Sequence, residues 1–335
     1  MTEGSSAEQE IFALTRFFVV LAICLASLAV PKFAAAADSD IPAWLSAHVG
    51  ESDGQIAQVV LDRARALYLK KKADGTVKNN CYFAMDATRP AALAGNQLGR
   101  RFYTICEDQQ VFKAIPAGHG AGRNLKAIMD FSNGRTCVKN FGNAEDSNLT
   151  TGGAYITRET KTSFKGYYST SPKELAVYRR TFIQFDGEGE AATAREREIG
   201  GHASQILRTY CMKKKPDSPY ADKDGMVPYG KLVDYSGGRS NGCTSWTPSD
   251  AREIIPMLKR NPTTLYIYPE SKDIEAVDAA VAKKSSDRPY WNATCLKQIG
   301  APKYWSNSVL APLVAQYEAA HPIAPSGPLP VCKGP

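Results

Sequence analysis

The sequence predicts a mainly β fold of the α+β class, with a body of sandwich or barrel type and helical additions at both ends. Between residues 81 and 268, short apolar and aromatic runs are separated by Gly, Asn, Asp and Pro, a pattern typical of strands joined by turns. Before and after this body, apolar residues recur at helical spacing, in residues 56–72, 273–284 and 307–321. One long block of strands with helices outside it indicates an α+β arrangement.

The first predicted element is a helix at residues 56–72. Its apolar side chains recur at helical spacing, at Ile56, Val60, Ala64, Leu67 and Tyr68. The segment ends in lysines and is followed by Gly75, which is a typical signal for the end of a helix. A helix with one apolar face packs on another element, so we expect it to lie against the body.

The body contains strand segments that are short and rich in aromatic and β-branched residues. In chain order they are YFAMD at 82–86, RRFYTIC at 100–106, VFKAIPAG at 111–118, GGAYIT at 152–157, RRTFIQF at 179–185 and TTLYIY at 263–268. One helix interrupts this series after residue 246. Thr247 is placed as its N-cap, Pro248 as its first residue and Asp250 in its first turn. Its predicted apolar face comprises Ala251, Ile254, Ile255 and Leu258.

Composition divides the chain into four segments. We expect residues 1–37 to be a signal peptide, 38–80 an N-terminal helical segment, 81–270 the body and 271–335 a helical, Pro-rich C-terminal extension. The apolar run at 17–30 fits a signal-peptide core and is shorter than the about 20 residues that a membrane span needs. The sequence therefore predicts export to the periplasm or cell envelope. An uncleaved N-terminal anchor is the alternative, because the residues before the run are mostly acidic.

Charge and composition limit the possible partners. The chain is 43% hydrophobic and 22% charged, which predicts a globular protein, and we expect a monomer. Residues 1–37 carry three Glu, one Arg and one Lys, so without them the formal net charge rises from +7 to +8. A basic exported protein can meet an anionic polymer such as the cell wall, although simple solubility explains the charge as well. Since no aromatic-interleaved basic patch is present, we expect no nucleic-acid partner.

The cysteines indicate an oxidising compartment with one thiol left over. Of eight cysteines, Cys24 lies in the apolar run, and seven remain: Cys81, Cys106, Cys137, Cys211, Cys243, Cys295 and Cys332. An odd number in an exported chain predicts up to three disulfides and one free thiol. The spacing favours a Cys295–Cys332 bridge that holds the C-terminal tail. Because no C-x-x-C or Cys/His cluster occurs, we expect no structural zinc ion.

Cys243 stands apart because it lies in a glycine-rich turn, "SGGRSNGCTS" at 236–245. Small residues allow tight bends and leave backbone N–H groups free, which an oxyanion hole requires. A nucleophilic thiol usually needs a base, and the chain has four histidines. His48 and His321 lie at helix ends, where a solvated or capping role is the simpler interpretation. His119 and His202 are both flanked by glycine, and the pattern alone does not choose between them.

Several motifs together resemble the L,D-transpeptidase catalytic domain, the YkuD-like cysteine transpeptidases of bacterial peptidoglycan. The divergent murein branch of that family tends to read Gly-Arg-Ser-x-Gly-Cys, and this chain reads GRSNGC at 238–243. Other family-like pieces follow the family's order, namely YFAMDATRP at 82–90, AIPAGHGAG at 114–122, FSN at 131–133, TTGGAY at 150–155 and AREREIGGH at 194–202. The resemblance covers residues 82–268, and its specificity lies in the order of the pieces.

The resemblance implies a role for each matching residue. Cys243 corresponds to the nucleophile and His202 to its base. The backbone amides of Asn241, Gly242 and Cys243 are the implied oxyanion donors, with Ser240 beside them, Arg239 available to a substrate carboxylate, and His119 lining the cleft or holding structure. Asn241 occupies a place where many members carry histidine. The insertion at 203–238 is interpreted as a surface loop, with a lid or a disulfide-held wall through Cys211 as alternatives.

The chemistry implied by the resemblance is acyl transfer without a metal or an organic cofactor. Cys243 would attack a tetrapeptide stem before its terminal D-alanine, and a neighbouring stem amine would resolve the thioester to a 3-3 cross-link. A free D-amino acid as acceptor would make the protein an exchange enzyme, and water would make it an L,D-carboxypeptidase. Two alternatives therefore stay open: a cell-wall cysteine hydrolase, and a non-catalytic wall-binding domain in which Cys243 is part of a disulfide.

Overall fold

Eight strands of the body close into a barrel. The computed structural model describes residues 41–126, 128–131, 136–171, 173–285 and 291–333, so the expected signal peptide at 1–37 and Cys24 lie outside the described residues. The strands are β1 (Tyr82–Asp86), β2 (Arg100–Cys106), β3 (Val111–Gly118), β4 (Asn124–Leu125), β5 (Met129–Asp130), β6 (Asn140–Gly142), β7 (Gly153–Ser171), β8 (Glu174–Gly187), β9 (Gly200–Ala203), β10 (Gln205–Lys214), β11 (Met226–Asp234), β12 (Thr244–Trp246), β13 (Thr264–Tyr268) and β14 (Lys303–Trp305).

The helices lie before and after most of these strands. They are α1 (Ala43–Ser46), α2 (Gln58–Ala73), α3 (Pro248–Leu258), α4 (Ser271–Ala282), α5 (Ala293–Ile299) and α6 (Asn307–Ala320). The predicted bounds of α2, α4 and α6 agree with the structure to within two residues at each end, α3 begins at the predicted residue, and α5 was not predicted.

The barrel follows the order β7-β13-β1-β2-β3-β12-β9-β8 and closes where β8 pairs with β7. Within the ring, β1 pairs with β13 and β9 with β12 in parallel, and the other neighbours are antiparallel. The expected mainly β class is thus confirmed, and of the two predicted body types the structure has the barrel. The N-terminal YFAMD, RRFYTIC and VFKAIPAG segments coincide with β1, β2 and β3.

Strand β1 is buried on both of its faces, because each face packs against a separate core cluster. In β1, all five residues are buried. Phe83 and Met85 join one core cluster with Trp246, whereas Tyr82 and Ala84 join a second cluster. The second cluster contains the apolar face of α2, with Val60, Leu61, Ala64 and Tyr68 buried. The predicted packing of this helix on the body is confirmed, and its burial explains why β1 reads as a continuous apolar run rather than an alternating one.

Helix α3 begins where its capping residues predict. The Thr247 hydroxyl accepts a hydrogen bond from the Asp250 backbone N–H at 3.1 Å, and Pro248 is the first helical residue. The helix buries Ala251, Ile254 and Leu258 against the barrel. This cap matters for the site because α3 fixes the end of β12, the short strand that follows Cys243.

The disulfides differ from the expected pairing. The structure contains Cys81–Cys106 and Cys211–Cys332, so the expectation of a Cys295–Cys332 bridge is wrong. The chain near Cys332 runs beside β10, where the Cys332 backbone N–H donates to the Met212 carbonyl at 2.8 Å. Cys295 instead lies on α5, buried in the core. The tail is therefore held by a disulfide to β10, which a spacing argument could not reveal.

The insertion at 203–238 is a β-hairpin rather than a plain surface loop. Strands β10 and β11 pair from Gln205 opposite Asp234 to Lys214 opposite Met226, and β11 pairs with β7 at the barrel edge. The interpretation as a loop is wrong, and the disulfide-held alternative through Cys211 agrees with the structure.

The C-terminal extension is built into the body. Strand β14 pairs in parallel with β6, and α6 buries Leu310 and Val314 in a cluster with Ala144 and Leu149. Residues Ile41–Pro335 form one compact unit. Within the described part of the chain, no helix is both long and apolar enough to cross a membrane.

Candidate functional site

A cleft of about 870 Å³ opens beside Cys243. Three stretches of chain form it: the glycine-rich turn, the turn that precedes β9, and the connection between β6 and β7. The hairpin of β10 and β11 adds one wall. The lining side chains are Glu145, Asp146, Asn148, Arg180, Glu196, Arg197, Glu198, His202, Ile206, Val233, Tyr235, Arg239, Ser240, Asn241 and Cys243. The structure therefore brings Cys243 and His202 into one cleft, together with Arg239, Ser240 and Asn241.

The glycine before Cys243 sets the direction of the turn. Gly242 has φ +112°, a conformation that residues with a side chain rarely adopt. A Cβ on this residue would also lie 2.5 Å from Cδ1 of Ile199. Cys243 follows it, directly before β12, and is a free, partly exposed thiol. The non-catalytic alternative requires Cys243 to be part of a disulfide, and the structure has no disulfide at this residue.

His202 is brought beside Cys243 by strand register. Strand β9 pairs in parallel with β12, with Gly201 opposite Thr244 and His202 opposite Ser245. Cys243 and Ser245 are two residues apart, so their side chains lie on the same face of the sheet as that of His202. The ring of His202 stacks on Phe182 of β8, with 6.1 Å between ring centroids. The pairing of two adjacent strands thus places the thiol and the imidazole on the same face of the barrel wall.

The glycine before His202 allows this register. A Cβ on Gly201 would lie 2.2 Å from Cη2 of Trp246, the core side chain of β12. The glycines of the EIGGH motif are therefore needed for close packing of β9 on its neighbours, which is a different reason from the positive φ of Gly242.

His202 is held as a neutral base. It is 5% exposed, and its Nδ1 lies 2.9 Å from the backbone carbonyl of Ala203. Since a carbonyl only accepts, Nδ1 carries the proton and Nε2 keeps its lone pair. Burial, and secondly the positive charge of Arg180, lower the pKa of His202 to about 4. At neutral pH the imidazole is unprotonated and able to take a proton.

Cys243 rests as a thiol. Burial raises its pKa, while the Gly200 backbone and the charges of Arg180 and Arg197 act in the opposite direction. The Sγ–H donates a weak hydrogen bond to the Glu198 carbonyl at 3.6 Å. Glu198 itself has φ +52°, an unusual conformation for a non-glycine residue with a long side chain. The resting pair is thus a thiol and a neutral imidazole, and attack requires transfer of a proton between them.

The glycine-rich turn supplies backbone donors at the cleft. The Ser240 N–H donates to the His119 carbonyl at 3.1 Å, and the Ser240 hydroxyl donates to the carbonyl of Cys243. The N–H groups of Asn241 and Gly242 donate to no acceptor among the described residues. Asn241 lines the cleft, so its N–H is available to a ligand oxygen there, whereas Gly242 is buried and is not among the lining residues. Arg239 and Asn241 are exposed at the mouth of the cleft.

His119 does not line the cleft. It follows β3, is 3% exposed, and neither ring nitrogen has a hydrogen-bond partner in the described structure. The backbones of Gly120 and Ala87 lie near the ring but outside hydrogen-bond geometry. Burial and the charge of Arg101 hold the pKa of His119 well below its usual range. It contributes to the site through its backbone carbonyl, which accepts the Ser240 N–H of the turn that carries Cys243.

The remaining histidines are remote from the cleft. His321 closes α6, where its Nδ1 lies 2.9 Å from the Tyr317 carbonyl. His48 stacks on Phe112 with 4.3 Å between centroids. The expected capping role of His321 is thus confirmed.

Sequence analysis missed two arginines of the cleft. Arg180 reaches it from β8, two residues before Phe182, and donates to Ser163 and to the Tyr235 hydroxyl. Arg197 fixes the connection between β6 and β7, because its guanidinium donates to Thr151 at 2.8 Å and to the Leu149 carbonyl at 2.6 Å. Arg197 belongs to the AREREIGGH piece, so its presence was visible, but its contacts depend on distant residues.

The cleft carries charges of both signs. Arg180, Arg197 and Arg239 line it together with Glu145, Asp146, Glu196 and Glu198. In the ranges that the structure describes, no group of three or more His, Cys, Asp or Glu is placed to hold a metal ion. The chemistry that the described groups themselves offer is nucleophilic attack by a thiol with an imidazole base.

Comparison of the chain with protein-family models, with curated proteins and with solved structures finds no match.

Proposed function

We propose that this protein is a cysteine acyltransferase in which Cys243 is the nucleophile and His202 the base. One observation carries the proposal: the partly exposed free thiol, directly before β12, and the neutral imidazole, on the adjacent strand β9, line one cleft. The two other cysteines outside the disulfides, Cys137 and Cys295, are buried, and burial raises the pKa of the Cys295 thiol. Cys243 is therefore the free thiol that a substrate can reach.

More particularly, we propose an L,D-transpeptidase that acts on tetrapeptide stems of peptidoglycan. The GRSNGC motif and the order of the other family-like pieces support this assignment, and the three cleft arginines suit a substrate that carries carboxylates. The two disulfides are typical of an oxidising compartment and support export to the cell envelope.

The proposed reaction has two half-reactions. In the first, His202 takes the Sγ proton of Cys243, the thiolate attacks the carbonyl carbon before the terminal D-alanine, and the protonated imidazole returns the proton to the leaving amine. The C–N bond breaks as the C–S bond of the thioester forms. The N–H group of Asn241, which lines the cleft, would donate to the oxyanion. In the second, an amine attacks the thioester, forms a new amide and releases the Cys243 thiol, with His202 relaying the proton.

Intact-mass measurement tests the proposal directly. The purified protein should gain the mass of one acyl group when it is exposed to a carbapenem or a tetrapeptide muropeptide, and peptide mapping should place that group on Cys243. A Cys243→Ala variant still contains Cys137 and Cys295, so it controls for adventitious thiol reactivity and should gain no mass. Acylation of that variant, or none of the unaltered protein, would remove the proposal. Product analysis separates the acceptors, because dimers or exchanged stems report an amine and tripeptides report water.

A further inference from the structure

A second groove lies next to the catalytic cleft and is built by the C-terminal helix. Its volume is about 310 Å³. One wall is a single face of α6, with Asn307, Ala311, Val314, Ala315 and Glu318 spaced at helical intervals. The opposite wall comes from the connection between β6 and β7 and from the turn before β9. This helix lies outside the segment that resembles the transpeptidase domain.

The groove and the cleft are continuous. Four residues line both: Glu145, Asp146, Glu196 and Arg197. The guanidinium of Arg197 stands at this junction and donates to neutral oxygens of Gly142, Thr151 and Leu149. A ligand in the groove can therefore extend directly toward the thioester that would form on Cys243.

The groove is acidic. The carboxylates of Glu145, Asp146, Glu196 and Glu318 line it, and Arg197 is the one cation among its lining residues in the described structure. Arg123 lies nearby and pairs with Glu318 at 3.1 Å and with Asp146 at 4.0 Å. Glu145 and Glu196 form no ion pair in the described residues, so the carboxylates still outnumber the cations. Such a surface favours a cationic ligand.

A polar atom in the groove also lacks a partner. The Oδ1 atom of Asn143 is buried and makes no hydrogen bond within the described part of the chain, and Asn143 lines the groove. An amide oxygen only accepts hydrogen bonds. Because this oxygen is shielded from solvent, a ligand N–H in the groove would reach it only after rotation of the Asn143 side chain.

We propose that this groove binds the acceptor substrate of the second half-reaction, a stem peptide that presents a primary amine. The inference rests on the proposed function, because it needs a thioester for the amine to attack. The ammonium group is held by the carboxylates and loses one proton to solvent water before it attacks. The amine nitrogen then forms the amide bond, the C–S bond breaks, and the second proton passes through His202 to Sγ of Cys243. The C-terminal extension thereby selects an amine over water.

The test blocks the groove without touching the cleft. Ala315 and Gln316 are both exposed on α6, but only Ala315 lines the groove. An Ala315→Trp variant fills the groove, and Gln316→Trp is the matched control on another face of the same helix. Glu318→Gln removes one groove carboxylate and keeps the side-chain shape. Each variant is given a tetrapeptide donor and an amine acceptor, and the rate of acylation and the ratio of amide product to tripeptide are measured.

We expect Ala315→Trp to lower the ratio of amide product to tripeptide about tenfold while the acylation rate and the melting temperature stay at the level of the Gln316→Trp control. Glu318→Gln should lower the ratio about twofold, an effect that added salt weakens. If the unaltered protein acylates and Ala315→Trp gives an unchanged ratio, the acceptor groove is wrong and the proposed function stands. A loss of acylation in Ala315→Trp would make the groove part of the donor site and also overturn the inference. A protein that never acylates would remove both proposals.

Discussion

His202 and His119 are two glycine-flanked histidines of the barrel wall that resemble each other closely in their surroundings. Both are at most 5% exposed, and in both burial and a nearby arginine lower the pKa of the ring. His202 faces the cleft and has its Nδ1 fixed by a carbonyl, whereas the ring of His119 is enclosed and makes no hydrogen bond in the described structure. A glycine-flanked histidine in sequence thus reports tight backbone packing, and strand register decides whether the ring meets a substrate.

The largest expected difference between the two histidines is in the rate of acylation. His202→Ala removes the base and should slow acylation of Cys243 by a factor of about 10²–10⁴. His119→Ala should change that rate less than about fivefold, because its ring does not reach the cleft, although the cavity should lower the free energy of unfolding by about 2 kcal/mol. The measurement is single-turnover acylation followed by intact mass, with unfolding monitored in denaturant. Equal rate losses in the two variants would contradict the assignment of His202.

The glycines beside the two histidines should fail in different ways. A Cβ on Gly120 would lie 2.5 Å from Cα of Gly242, so the turn that carries Cys243 must move. Because a misplacement of about 1 Å can cost about a hundredfold in rate, Gly120→Ala should slow acylation far more than His119→Ala. A Cβ on Gly201 instead meets the Trp246 side chain in the core, so Gly201→Ala should primarily lower the melting temperature. Normal acylation by Gly120→Ala would show that the close contact of Gly120 with Gly242 does not fix the position of Cys243.

Much of the barrel was predictable because its strands are defined by local signals. The bounds of β1, β2 and β3 and the cap of α3 depend on aromatic runs, turn formers and a Thr-Pro-x-Asp start that act within a few residues. The disulfide of Cys211 with Cys332 and the hairpin of β10 and β11 depend on contacts distant in sequence, and composition does not encode them.

The sequence identified the main residues of the candidate site but not their arrangement in space. The motif resemblance selected Cys243 and His202, and the structure places both in one cleft. The positions of Arg180 and Arg197 could not be predicted, because Arg180 reaches the cleft through the pairing of Phe182 with His202 across two strands. The position of His119 outside the cleft has the same cause. Strand register decides to which side of the barrel wall its ring points, and a short stretch of sequence does not contain that information.

The acid limb, which is the fall of the acylation rate at low pH, should depend on the positive charge of Arg180 beside His202. Only the neutral imidazole can accept the Sγ proton, so the rate should fall about tenfold per pH unit below pH 4, the pKa of His202 being about 4. Arg180→Gln removes a positive charge that lowers this pKa, so the acid limb should move to higher pH while staying below the ordinary value, since burial is the larger cause. Pre-steady-state acylation from pH 3.5 to 8 measures the shift. His119→Ala is the control, and its acid limb should coincide with that of the unaltered protein.

The smallest expected effect is one in which the two histidines should behave alike. Each has a folded-state pKa below its unfolded value of about 6.5, so the unfolded chain binds protons that the folded chain does not. The stability that this provides is present above about pH 6.5 and is lost as the pH falls toward the folded pKa. Each histidine should contribute up to about 1.4 kcal/mol per pH unit between pH 6 and 5. Denaturant unfolding at pH 6 and at pH 5 gives the change in the free energy of unfolding per pH unit. This change should be reduced by the same amount in His119→Ala and in His202→Ala. If only one variant reduces the pH dependence of the free energy of unfolding, the ring of the other histidine is already protonated or solvated in the folded protein. A His202 ring that is protonated in the folded protein would mean a thiolate–imidazolium pair in place of the neutral base.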